Sequence, residues 1–421
     1  MQADIVVEQE KLNSCTDLVE KKQLKIAMFT NNYFPFIGGV PISISRLTKE
    51  LRKQGHIVYI FAPQYPKQPA DLDPYIIRCK LLRYHKTNIF NFAIVNIFLP
   101  DIKKEFTKHD FDLIHVHHPF WMGKKGMKLA KKYKIPIVLT YHTRFDKYYH
   151  YVPVAKRFFK NILSHQIVKK FSQKCTMIFA PTETSKEYLT EIGITREIEV
   201  LPTGIDFDIF KELKFDIFKG VKEETIRSKY TKKGEALLCS VSRLSEEKNI
   251  YFMIDGIKYV KERANIPFKC IIVGEGPEKE NIMNKIQEEG LSDTIILVGN
   301  IPPDEISKYY LASDFFVFSS KSETQGMVLL EAMASFCPVV AVSAGGIEDV
   351  VIDGHNGYKT NEDISEWGKK VIELLSDETK LDKMSKNAHE YAKKFSLELM
   401  ARHAADVYIR AIEKCKKGKD K

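Results

Sequence analysis

The feature that most constrains the fold of this chain is a rhythm. Short apolar runs alternate with segments of helical period, in two successive series broken at Pro202 and Gly204. The first series contains LKIAMFT (Leu24–Thr30), IVYIFAP, FDLIHVH (Phe111–His117), IPIVLTY (Ile135–Tyr141), Met177–Ala180 and Ile198–Leu201. The second contains Leu237–Val241, Phe268–Val273, Thr294–Val298, Ala312–Phe318 and Pro338–Val342. Runs apolar along their whole length fit parallel strands covered on both faces, and the intervening helices supply the covering. A chain of 421 residues exceeds what one hydrophobic core accommodates. The expectation is an α/β protein of two Rossmann-like, doubly wound domains facing a cleft. The first domain covers 24–203 and the second 204–396. Residues 1–23 read as a flexible extension. The final stretch, 397–421, begins with a long amphipathic helix, Leu397–Lys416, for which Ser396 is a plausible N-cap.

The formal net charge of +10 points to an anionic partner. Seven scattered cysteines without a C-x-x-C pair indicate neither a disulfide framework nor a zinc site. The first residues carry acids and no apolar h-region, so they do not read as a signal peptide. No uncharged apolar run approaches the ~20 residues that span a bilayer. A cytoplasmic protein is expected, lying on the membrane if it meets one.

One stretch stands out as a site. Ser319–Glu331 (SSKSETQGMVLLE) follows a buried run and leads into a helix from Gly326. A strand, a glycine turn and a helix start direct backbone N–H groups at an anion. Glu323 and Glu331 flank that turn. Glu331 sits in the apolar run MVLLEAMA, where a charge without a partner is costly. Arg243 and Lys248 follow the first strand of the second domain, where a bidentate guanidinium and an ammonium can neutralise a diphosphate. Gly38 and Gly39 follow the first strand of the chain, either as a tight turn or as a close backbone approach to phosphate. His142 ends the Ile135–Tyr141 run, as a hydrogen-bonded strand end or a ligand contact. His115, His117 and His118 do not read as a metal site, because alternation puts only His115 and His117 on one face and no acid or cysteine completes a set. Asp71-Leu72-Asp73 and Asp206-Phe207-Asp208 lie away from apolar strand ends and read as chance.

Val152–Lys174 combines aromatic and aliphatic residues at helical spacing with Lys156, Arg157, Lys160, Lys169, Lys170 and Lys174, and contains no acid. With Phe158 and Phe159 it suits an anionic membrane interface, or else it is a core-facing helix with a solvated basic face. Asn88–Phe106 is a second apolar stretch for the same surface. No nucleic-acid motif accompanies the positive charge.

Gly38-Gly39-Val40, His142, Arg243 with Lys248, Gly274-Glu275-Gly276-Pro277 and Glu323 with Glu331 occur in an order that resembles glycosyltransferase family 4, retaining enzymes of the GT-B fold. The resemblance spans about residues 24–416. The E-T-Q-G run (Glu323–Gly326) and the stretch from His142 into the basic helix resemble the bacterial diacylglycerol glucosyltransferases. The resemblance implies that Arg243 and Lys248 bind the donor diphosphate near Gly38 and Gly39. It implies that Glu331 takes the ribose, and that Glu323 with the N–H groups of Gly326, Met327 and Val328 holds the sugar. His142 would contact the sugar near the reacting carbon. The C-terminal helix would cross back to the first domain. The implied reaction moves glucose from UDP-glucose to 1,2-diacylglycerol, with no cofactor and no catalytic metal. Another lipid of the phosphatidylinositol type, or a soluble glycan, is the alternative acceptor. A non-catalytic nucleotide-sugar-binding protein is the alternative of another class.

Overall fold

The computed structural model describes residues 22–36, 38–86, 91–142, 164–211 and 224–417. The first sheet comprises β1 (Lys25–Phe29), β2 (Ile57–Pro63), β3 (Ile76–Cys79), β6 (Leu113–Val116), β7 (Ile137–Thr140), β8 (Met177–Ala180) and β9 (Ile198–Val200). Their order is β3-β2-β1-β6-β7-β8-β9, and every pairing is parallel. An antiparallel hairpin, β4 (Leu81–Lys86) with β5 (Asn91–Val95), stands beside it. The second sheet is β12-β11-β10-β13-β14-β15, also parallel. Its strands are β10 (Ala236–Val241), β11 (Phe268–Val273), β12 (Ile295–Gly299), β13 (Phe315–Phe318), β14 (Val339–Val342) and β15 (Gly357–Thr360).

Strand order reverses at β1/β6 in the first sheet and at β10/β13 in the second. These are the switch points at which open α/β sheets take ligands beyond their carboxyl ends. The sequence segments singled out as sites follow these strands: Gly38-Gly39 after β1, His117 after β6, Arg243 after β10 and Ser319–Glu323 after β13.

The helices that shape the site are α1 (Gly39–Lys53), α2 (Asp101–Phe106), α3 (Met122–Tyr133), α4 (Ser164–Ser172), α5 (Glu183–Glu191), α6 (Ile250–Lys261), α7 (Met327–Ala334) and α8 (Leu397–Lys417). α2, α3 and α4 flank one face of the first sheet, whose core holds Ile102, Phe106, Leu129 and Val168. α1 and α8 cover the other, with Ile44 and Leu51 beside Ala401, Ala404, Ala405, Tyr408 and Ala411. The alanine stripe lets α8 lie close to α1 and the sheet. The last helix thus follows the second domain in sequence and packs on the first in space.

Two segments run side by side at the junction. Ile205 N–H donates to Phe395 O at 2.7 Å, and Leu397 N–H donates to Ile205 O at 3.0 Å. A Cβ at Gly204 would come within 2.8 Å of Leu397 Cα, which restricts that position to glycine. Asp206 and Asp208, which read as chance in the sequence, are ion-paired here with Lys49 and Lys53 of α1, at 2.9 and 3.0 Å. Asp71 and Asp73 pair with Arg78 and Arg52.

Some expected boundaries shift. Ala312 belongs to the helix Ile306–Ala312, not to the strand that follows. Ser313 stops that helix by donating its hydroxyl to Tyr309 O and its N–H to Tyr310 O. β3 and β4 were not legible in the sequence, because polar residues such as Arg78, Arg83 and Tyr84 interrupt their apolar pattern. β5 lies in the apolar stretch Asn88–Phe106 expected at a membrane surface, of which Val95, Ile102 and Phe106 instead enter the core of the first sheet.

Candidate active site

β10 ends at Val241, and the loop beyond it carries Arg243. The Gly274–Pro277 turn packs against that loop too closely for side chains. A Cβ at Gly274 would lie 1.9 Å from Ser242 O, and one at Gly276 would lie 2.1 Å from Leu244 O. Leu244 N–H donates to Glu275 O, and Glu278 N–H donates to Leu244 O. The glycines therefore fix where Arg243 emerges. Its Nη2 donates to Glu247 Oε1 at 2.5 Å. Burial disfavours the Glu247 carboxylate, but hydrogen bonds from Arg243, its own backbone and Ser245 outweigh that cost and hold its pKa below the usual value.

Lys248 is reached through a single 3-10 turn, Glu246–Lys248, ended by Asn249 in the left-handed region. Buried Ser319, just past β13, donates its hydroxyl toward Lys248 O and Asn249 O at 3.0 and 2.9 Å. Lys321 N–H donates to Glu247 O. These contacts lace the two strand ends together and bring the Lys248 ammonium to 2.5 Å from Glu323 Oε1.

The turn after Glu323 is braced from behind. Gly346 N–H donates to Glu323 O at 3.0 Å. A Cβ at Gly345 would lie 2.6 Å from Glu323 O, and one at Gly346 would lie 2.6 Å from Thr324 O. Gln325 clamps the interdomain peptide in both directions. Its Oε1 accepts from Thr203 N–H at 2.8 Å and its Nε2 donates to Thr203 O at 3.0 Å. Thr182, at the start of α5, donates to Thr324 O. Gly326 takes φ +72° and opens α7 at Met327. Its first turn carries no acid, so the N–H groups of Met327 and Val328 face the opening under a positive helix end. Across that opening stands Gly39, whose Cβ would lie 4.0 Å from Met327 Sδ.

Glu331, one turn further along α7, has partners that the sequence did not disclose. Arg46 of α1 donates to its Oε1 at 2.6 Å, and Tyr310 donates to its Oε2 at 3.4 Å. The charge within MVLLEAMA is thus answered by a cation from the other domain.

On the first-domain side, His142 Nε2 and His117 Nδ1 are 2.9 Å apart. His115 lies behind them, with Nε2 2.6 Å from Thr140 Oγ1 and Nδ1 2.9 Å from Tyr408 OH. Burial holds all of these imidazoles neutral: the His115 pKa falls to about 3, and those of His117 and His142 fall well below the ordinary value. Burial likewise lowers His118, to about 4, and its Nδ1 accepts from Asn31 N–H. Among the described residues no set of His, Cys, Asp and Glu is arranged to hold a metal ion.

Of the expected membrane residues, Lys156, Arg157, Phe158, Phe159 and Lys160 lie outside the described residues. Lys170 is exposed on α4, whereas Lys169 is partly buried beside Gly193. The structure adds a basic surface that the sequence reading missed. α3 carries five lysines and no acid. It adjoins α4, since a Cβ at Gly123 would lie 3.4 Å from Phe171. Lys103 of α2 lies beside Lys132, and this neighbouring ammonium lowers the Lys132 pKa. Lys125 donates to Ile97 O and Leu99 O at 2.7 and 3.4 Å, and the loop so held presents Phe98 79 % exposed. No described helix is long and apolar enough to cross a membrane.

Two parallel α/β domains with their strand ends facing, cations after β10, carboxylates around α7 and a C-terminal helix returning to the first domain define the GT-B class of glycosyltransferases. Sucrose-phosphate synthase from Thermosynechococcus elongatus superposes with a TM-score of 0.75 at 19% identity, over 93% of this chain and 100% of the other. The sequence profile described as Glycosyltransferase Family 4 matches residues 37–209, and that described as Glycosyl transferases group 1 matches 221–394. An alpha-monoglucosyldiacylglycerol synthase of Acholeplasma laidlawii is 29% identical over 93% of this chain and 98% of its own. One from Streptococcus pneumoniae is 31% identical over 78% and 74%. The chain belongs to glycosyltransferase family 4 and is a nucleotide-sugar-dependent hexosyltransferase.

Proposed function

We propose that this enzyme transfers glucose from UDP-glucose to the free hydroxyl of 1,2-diacylglycerol at an anionic membrane surface, with retention of configuration. One observation carries the reading. Lys248 pairs with Glu323 close to Arg243, while from the other domain Gly39 approaches the first turn of α7 and Arg46 reaches Glu331. The acceptor comes from the two synthases named above, and the lysine face of α2–α4 with Phe98 supports a bilayer as its source.

In this reading the donor diphosphate lies between Arg243, Lys248 and the N–H groups of Met327 and Val328. The bond from the anomeric carbon to the phosphate oxygen breaks, and charge builds on the leaving diphosphate. The cations and the helix end are fixed in advance where that charge develops, which is the largest contribution such a site makes. The acceptor hydroxyl attacks from the face the diphosphate leaves. Its proton passes to a phosphate oxygen, which balances the exchange and retains the configuration. Glu323 holds sugar hydroxyls, Glu331 the ribose, and His142 the sugar beside the reacting carbon. The two cations supply the electrostatic work, so no added metal is required.

The test is incubation with a panel of labelled nucleotide-sugars, diacylglycerol vesicles and soluble glycans, followed by extraction and NMR of the product. An α-glucosyl-diacylglycerol is expected. A soluble product overturns the acceptor, a β linkage overturns retention, and donor binding without turnover overturns catalysis.

A further inference from the structure

We infer that His117 is a positioning residue for the transfer reaction: it fixes the ring plane and tautomer of His142 and so sets which imidazole nitrogen faces the sugar. The inference rests on the role of His142 proposed above.

Alternation along β6 sends Leu113, His115 and His117 to the α1/α8 face, while Ile114 and Val116 join the opposite core. β7 runs parallel beside it, with His115 opposite Val138, and carries Thr140 and then His142 toward the same face. The two strand ends therefore deliver His117 and His142 as neighbours. Their rings are 5.2 Å apart between centroids and inclined by 27°. A neutral imidazole has one N–H and one lone pair. The 2.9 Å contact between His117 Nδ1 and His142 Nε2 uses one of each. His142 Nε2 is thereby committed to its neighbour, and Nδ1 is the nitrogen left for a sugar hydroxyl.

His117 cannot turn away readily. Its ring centroid lies 4.2 Å from that of His115. His115 is held at both nitrogens, by Thr140 and by Tyr408 of α8. The brace thus runs from the C-terminal helix to the residue at the cleft. On its far side His117 is 2 % exposed, and its Nε2 has no hydrogen-bond partner among the described residues. His117 and His142 both line a cavity of about 20 Å³ between α1, the interdomain peptide and α8, together with Ser43, Thr203, Leu397 and Met400. A hinge cavity with one orphan imidazole nitrogen is a poor feature for a purely structural core, which is better filled by an apolar side chain. The polar atom that matters for His142 is Nδ1.

This assignment separates two amide replacements. Asparagine places a polar atom near the Nδ1 position, and glutamine places it near Nε2. His117→Asn is expected to keep kcat within about threefold of wild type, and His117→Gln and His117→Leu to lower it about tenfold or more, with donor KM within about twofold in all three. Selective ¹⁵N-histidine NMR gives a readout independent of turnover. One His142 tautomer is expected in the wild type and in His117→Asn, and a mixture in His117→Gln and His117→Leu. Equal kcat in the glutamine and wild-type enzymes, or an unchanged His142 tautomer in the glutamine and leucine variants, overturns the inference. Failure of the wild type to transfer sugar refutes the proposed function instead, and the ¹⁵N spectra still decide the role of His117.

Discussion

The Lys248 ammonium lies 2.5 Å from Glu323 Oε1, although the two residues are 75 positions apart in the chain. Both are largely shielded, at 16 % and 14 % side-chain exposure. The pair joins the loop after β10 to the loop after β13, the two strands at the switch point of the second sheet. It places a cation and a carboxylate side by side where a diphosphate and a sugar are proposed to meet.

Removing the cation is the most direct test of this arrangement. Lys248→Ala is expected to lower kcat by about 10²–10³, the loss typical of one preorganised transition-state donor. Steady-state kinetics with a saturating donor measures it. A loss confined to KM means that Lys248 binds the substrate and transition state equally.

The two glutamates are expected to differ. Glu323→Ala should act mainly on turnover, and Glu331→Ala mainly on donor affinity. Calorimetric titration with the nucleoside diphosphate beside turnover measurements separates them. Equal and mild effects on affinity alone contradict the assignment.

Arg46 and Glu331 form a partly buried ion pair between the domains. A double-mutant cycle of Arg46→Met and Glu331→Gln, read by chemical denaturation, is expected to show a coupling of about 1–3 kcal/mol. Additive effects mean that the contact contributes nothing to docking of the domains.

Gly345→Ala tests the brace behind the Glu323 turn. The backbone there has φ +43°, and the new methyl carbon would fall 2.6 Å from Glu323 O. A stability loss of about 1–3 kcal/mol is expected, with a fall in kcat as Glu323 is displaced. Thermal unfolding and turnover measured on one preparation check both.

The buried histidines fix the sign of an acid effect. The His115 pKa is about 3 in the folded chain, against an ordinary value near 6.5. Below about pH 6.5 the unfolded chain binds a proton that the folded chain refuses, so stability falls as the pH falls from there toward 3. His115→Gln removes the titrating group and keeps a hydrogen-bonding side chain. Between pH 6 and 4 its stability should decline less steeply than the wild type's, by about 1.4 kcal/mol per pH unit. Denaturant midpoints across that range decide it.

Much of the site was legible in the sequence because its parts are local. A fully apolar run such as FFVF, a glycine that can take φ +72° and an apolar helix with one acid appear consecutively, and each has a local physical meaning. The same holds for Arg243 and Lys248 beyond β10. Arg46 was not legible, since its partner lies 285 residues away on the other domain and an arginine on a surface helix carries no mark of that. In the sequence His117 is one of three clustered histidines that do not complete a metal site. Alternation told which face it takes, but not that β7 brings His142 to the same place. The lysine face on α2 and α3 was missed because its residues belong to two helices separated by β6.

The sequence by itself determined the class of fold, its two α/β series and the positions of their strand ends, because periodicity, glycine placement and apolar runs act over a few residues at a time. The tertiary structure decided the pairings: Lys248 with Glu323, Arg46 with Glu331, His117 with His142, and Tyr408 of the last helix with His115. A charge or an imidazole is defined by its nearest neighbour, and in a parallel sheet that neighbour comes from another strand whose register only the assembled fold sets.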